Sequence, residues 1–115
     1  MGMTASLIGV GAFKKELVEH MEYPAQLYNE TKEGVTLTRE LFGIYEGSTT
    51  SREFASLLGI NDAWDFNQHK LDAKKIDFEG LQDFSCNRYS DYSEDYEAFV
   101  ILIGHGFEFH FCPNG

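Results

Sequence analysis

The sequence predicts a small α+β domain spanning residues 1–115: an antiparallel sheet of about four strands, two or three short helices packed on one face, and a C-terminal β-hairpin at its centre. Three observations carry this expectation. The apolar run Ala98-Phe-Val-Ile-Leu-Ile103 is dense in β-branched and aromatic residues and too short for a typical buried helix. Just after it, Phe107-Glu-Phe-His-Phe-Cys112 alternates strictly between apolar and other residues, the period of a strand with one wet face. Upstream, Thr50-Ser-Arg-Glu53 has capping-box form, Phe54, Leu57 and Leu58 supply an apolar stripe, and Gly59 suits a helix C-terminus.

Taken in order, Leu7-Ile-Gly-Val10 reads as a strand. Phe13, Leu17, Val18 and Met21 then recur at helical spacing, and Tyr23-Pro24 closes that helix because proline disfavours α geometry in the residue before it. Residues 29–34 are polar and turn-like. From Val35 to Tyr45 the chain is rich in β-formers, but its alternation slips: Val35 and Leu37 share one face, Phe42 and Ile44 the other. A bulge near Glu40-Leu41 reconciles the two halves. Gly47 to Ser51 reads as a loop, then comes the Thr50-capped helix, then a less regular connector with Trp64, Phe66 and Leu71. Asp77 caps a further short helix that buries Phe78 and Leu81. In the predicted hairpin the turn is His105-Gly106, Leu102 and Val100 oppose Phe109 and Phe111, and Ile103, Ile101 and Phe99 oppose Glu108, His110 and Cys112. The strongest core candidates are Leu17, Phe54, Leu57, Leu58, Phe99, Ile101, Ile103, Phe107 and Phe109.

Composition bounds the function. The 115 residues carry 19 acidic and 9 basic side chains, a formal net charge of −10. Nucleic-acid binding draws much of its affinity from Lys and Arg on phosphates, so nucleic acid is not an expected partner, and anionic membrane surfaces are disfavoured for the same reason. No apolar run approaches the ~20 residues of a membrane-spanning helix. The N-terminus lacks the basic start of a secretory signal. Cys86 and Cys112 form no CxxC motif and read as thiols of a cytoplasmic protein, although one disulfide between them stays open.

Enzyme motifs are hard to find. Gly9-Val-Gly11 supplies two glycines of a dinucleotide loop, but Lys14 stands where the third belongs, so they read as strand-to-helix turn glycines. Residues 52–60 resemble the first half of a helix-turn-helix. The following segment carries Asp62 and Asp65 where a recognition helix would meet phosphate. There is no nucleophile elbow and no H-E-x-x-H. An enzyme is the less favoured reading, and no cofactor is expected.

Two surfaces remain. The acidic, tyrosine-rich run after Arg88, together with Asp83, offers Asp83, Tyr89, Asp91, Tyr92, Glu94, Asp95 and Tyr96 to a partner. Tyrosine is a favoured interface anchor and carboxylates steer Lys and Arg, so the expected partner is a basic protein. An immunity protein or antitoxin that occludes a cationic nuclease toxin is a concrete instance. The alternative is a small metal-binding protein or metal-dependent enzyme using His105, Glu108, His110 and Cys112, residue types that ligate metals and that the C-terminal strand presents largely on one face. A structural or oligomerising domain without ligand is the third reading.

Overall fold

The computed structural model describes residues 4–12, 14–20, 35–61 and 67–114. In chain order they form β1 (Thr4–Ala12), a 3₁₀ helix (Lys15–His20), β2 (Thr36–Ile44), α1 (Ser48–Leu57), the two-residue β3 (His69–Lys70), a 3₁₀ turn (Ala73–Lys75) and α2 (Phe78–Asp83). A π-helical segment (Phe84–Arg88), a 3₁₀ turn (Ser90–Tyr92), α3 (Ser93–Gly104) and β4 (Glu108–Asn114) complete the fold. The sheet is antiparallel throughout with order β2-β1-β4-β3. The expected α+β class, four strands and three helices are all present.

The predicted hairpin is not. Residues 98–103 are the C-terminal half of α3, and β4 pairs with β1 and β3 instead. The expectation failed over length. Six apolar residues are too few for a buried helix, but the acidic run before them is the helix's own first half. Glu94 and Asp95 occupy the first turn, where carboxylates complement the positive end of the helix dipole. The helix therefore has 12 residues and changes character midway, from wet to buried. Ala98, Phe99 and Leu102 are buried, Ile101 and Ile103 are half-buried against the core, and Val100 is 38% exposed.

The glycine after α3 closes a helix rather than turning a hairpin. Gly106 has φ 89°. Its N–H donates to the Ile103 carbonyl (3.2 Å) and the Phe107 N–H to the Leu102 carbonyl (3.0 Å). This is a Schellman closure, with Phe107 packed above Leu102 in the core. Gly59 closes α1 in the same way, as expected: φ is 79°, and Ile60 N–H reaches the Ala55 carbonyl at 2.9 Å. The start of α1 differs from the expectation. Gly47 is its N-cap, three residues before Thr50, and no side chain caps it. Glu53 instead pairs with Arg88. Asp77 caps α2 as predicted, its carboxylate accepting from the Gly80 N–H at 2.9 Å.

The slip in β2 is real but lies slightly later than expected. The register with β1 shifts between Ala5, paired with Ile44, and Leu7, paired with Leu41. Phe42 takes φ 56° inside that shift. The kink turns Leu41, Phe42 and Ile44 all into the core, which strict alternation forbids. The segment predicted as an α-helix after β1 is a 3₁₀ helix with Leu17 buried. Phe13, Met21, Tyr23-Pro24, the predicted turn at 29–34, Trp64 and Phe66 lie outside the described residues, as do all of residues 62–66 and hence the Asp62–Asp65 comparison.

The core lies between the sheet and the helices and is largely phenyl. Phe42 and Phe54 stand 5.1 Å apart at their centroids, Phe99 and Phe109 4.9 Å in an edge-on arrangement, and Phe54 touches both Phe84 and Phe111. Of the predicted core, Leu17, Phe54, Leu58, Phe99, Phe107 and Phe109 are buried, while Leu57, Ile101 and Ile103 pack against the cluster half-buried. Gly9 and Gly11 are strand residues, not turn glycines. A Cβ on either would stand 2.5 Å from the ring of Phe109 or Phe107 respectively. Their missing side chains leave room for rings from the β4 segment.

Candidate functional site

The residues singled out between Asp83 and Tyr96 run from the end of α2, past the π segment and through the 3₁₀ turn at Ser90–Tyr92, to the first turns of α3. A π-helix needs each N–H to reach five residues back, and Tyr89 N–H meets the Phe84 carbonyl at 2.9 Å. Such wide turns are rare and recur at functional sites. Asn87 Nδ2 donates to Asp83 (3.0 Å), and the buried Ser85 hydroxyl donates to the Leu81 carbonyl (2.7 Å).

The structure divides the seven residues by task. Asp95 faces inward, and its carboxylate accepts the Phe42 N–H at 3.1 Å, which ties α3 to the bulge in β2. Tyr92 lies half-buried against Phe42 and Phe84. Its hydroxyl is 2.6 Å from a Glu46 carboxylate oxygen and 3.0 Å from the Gly43 carbonyl. Burial first, then the Glu46 contact, pushes the Tyr92 phenol far above its ordinary value. Tyr89 packs on Phe84 at 4.8 Å and beneath the guanidinium of Arg88. Arg88 in turn makes a two-pronged pair with Glu53 of α1. These residues mainly hold the surface in place. Asp83, Asp91 and Glu94 are exposed, and no described Lys or Arg pairs with them.

Tyr96 and Glu94 belong to a groove the sequence did not show. It opens between α3 and the end of α2 with the π segment, encloses about 420 Å³, and is lined by Gln82, Cys86, Ser93, Glu94, Tyr96, Glu97, Val100 and Ile101. The helical reading of residues 93–104 would have exposed it, because Glu94, Glu97 and Ile101 recur three and four apart and so share a face. As a strand the same residues scatter across two faces. The Tyr96 hydroxyl donates to the Phe78 carbonyl at 3.3 Å, which fixes the ring at the groove wall, and burial raises its phenol above the ordinary value.

The metal candidates do not come together in this way. Glu108 is held by Lys70 (3.0 Å) and His110 (3.0 Å), and these contacts, led by Lys70, draw its carboxyl below the usual glutamate value. His105 sits in the exposed turn after α3, at the end of the helix. Cys112 is buried, its thiol raised by that burial, with its sulfur 3.7 Å from the His110 carbonyl. Among the described residues no group of three His, Cys, Asp or Glu side chains is arranged to hold a metal ion. Cys86 and Cys112 are both free thiols. Among the described residues no helix is long and apolar enough to cross a membrane. No protein-family model, curated protein or solved structure matches the chain.

Proposed function

We propose that this chain is a small acidic protein-binding module of the cytoplasm that occludes a basic partner, in the manner of an immunity protein or antitoxin covering a cationic nuclease. One observation carries the reading: the exposed carboxylates of Glu94 and Glu97 line an apolar-floored groove, with Asp83 and Asp91 exposed on the chain before it, on a frame held by hydrogen bonds and ring contacts. A chain of net charge −10 attracts a cationic protein from a distance. Tyr96, Val100 and Ile101 then supply the water-excluding contact that charge alone does not. The chain's carboxylates and tyrosine would occupy the partner's basic surface, which otherwise meets phosphate, so inhibition needs no chemistry. The rigid frame also means that little conformational entropy is lost on docking.

The test is affinity capture on the immobilised chain at low and high salt. Screening shortens the reach of exposed charges from about 10 Å at 0.1 M to about 3 Å at 1 M salt. A basic protein retained at low salt, released at high salt, and blocked from nucleic acid while bound supports the reading. Retention of neutral or acidic proteins, unaffected by salt, would sink it.

A further inference from the structure

The groove beside α3 carries a chemistry narrower than negative charge. We infer that it receives an arginine side chain of the partner, with the guanidinium against the Tyr96 ring and between Glu94 and Glu97, a reading that rests on the basic-partner proposal and narrows it to one side chain.

Two features select arginine over lysine, and a third accommodates its stem. Glu94 and Glu97 stand three apart on one helix face, so their Cβ atoms are about 5–6 Å apart, a gap that a flat five-donor guanidinium can bridge and a compact ammonium cannot. The Tyr96 ring is immobilised by its bond to Phe78, and a guanidinium stacks on an aromatic face with less loss of hydration than an ammonium. Val100 and Ile101 offer an aliphatic floor for the methylene stem. The volume, about 420 Å³, lies in the range of pockets that bury small ligands. The chain already satisfies one of its own arginines in this way. Arg88 lies 5.6 Å above the Tyr89 ring and 5.8 Å above Phe84, with both of its terminal nitrogens on Glu53. The groove offers the same elements, ring and carboxylates, with no described arginine in its lining. The π segment and the end of α2 place Cys86 and Gln82 as the facing wall.

The probes are two blocked pentapeptides, Gly-Gly-Arg-Gly-Gly and Gly-Gly-Lys-Gly-Gly, titrated into the full chain while backbone amide shifts are followed by NMR. The arginine peptide is expected to move the amides of Cys86, Glu94, Tyr96, Glu97 and Val100, and to bind about fivefold more tightly than the lysine peptide. The double variant Glu94→Gln, Glu97→Gln should weaken the arginine peptide by about threefold or more. Val100→Arg, at an exposed helical position that tolerates substitution, should fill the groove with its own guanidinium and abolish the shifts. Equal affinity for the two peptides, shifts spread over the whole acidic surface, or undisturbed shifts in the Val100→Arg protein would overturn the inference. Salt-sensitive capture of a basic protein would survive that result, and an arginine preference without such capture would sink the partner reading alone.

Discussion

Gly9 and Phe109 show how one atom fixes the sheet. They face each other across β1 and β4, and the ring lies where a Cβ would be. Gly9→Ala should therefore destabilise the protein by about 1–3 kcal/mol in denaturant unfolding, because the ring has no empty space to enter. Gly104→Ala should do the reverse. Nothing lies within 4 Å of its Cβ position, at the last residue of α3, and replacing a helical glycine is worth about 0.5–1 kcal/mol. At the junction of α3 and β2, Tyr92 has a measurable signature. Its phenol is raised above 10.0 in the folded state, so its contribution is fully present below pH 10 and is lost as pH climbs through the folded value. Tyr92→Phe should cost about 1 kcal/mol at neutral pH by losing the contacts to Glu46 and Gly43. It should also flatten the fall in stability above pH 10, read from denaturant midpoints across the alkaline range.

At the scale of elements, α3 is the one that settles the architecture. A helix makes Phe99 and Leu102 core residues and leaves Val100 on the outer surface, whereas a strand would pair Val100 with Leu102. Phe99→Ala and Leu102→Ala should each cost about 2–5 kcal/mol. Val100→Glu should change stability by less than about 1 kcal/mol in the same thermal or denaturant melts. The short β3 strand makes a second prediction. Lys70 on β3 holds Glu108 on β4, and this lowers the glutamate below its ordinary 4.5. A lowered carboxylate contributes above the unfolded value and stops contributing as pH falls through the folded one. A carboxyl-carbon NMR titration should show Glu108 ionising below 4.5, and Lys70→Met should move that midpoint upward. Much of this was legible in the sequence: Gly59 as a helix stop, Asp77 as a cap, the slip in β2, and the phenyl face of β4. The helix at residues 93–104 was not, because its two halves differ so strongly in polarity that neither shows the period alone. The capping pattern at Thr50 misled because Glu53 answers to Arg88, 35 residues away, a partner that no local pattern reveals. The groove was hidden for the same reason as the helix. Its acidic residues were visible, but their shared face follows only from the 3.6-residue period.

At the scale of the whole molecule, the end of the acidic run and the apolar run are successive halves of one helix that has a buried and an open side. One side packs on a phenyl core while the other carries Glu94, Glu97 and Val100 into an open groove. Asp95, Tyr92 and Tyr89 hold that helix and the π segment in position, which leaves Asp83, Asp91, Glu94 and Glu97 as the exposed carboxylates of the proposed binding surface. Removing those four charges as Asp83→Asn, Asp91→Asn, Glu94→Gln and Glu97→Gln leaves the hydrogen bonds described above almost untouched, since Asp83 alone of them accepts one, from Asn87. The most direct measurement is the affinity of a basic partner, captured on the wild-type chain, for this neutralised protein, by calorimetry at about 0.1 M salt with circular dichroism confirming the fold. Affinity should fall by about a hundredfold or more, and its salt dependence should largely disappear. An unchanged affinity in a folded variant would contradict the proposed binding surface.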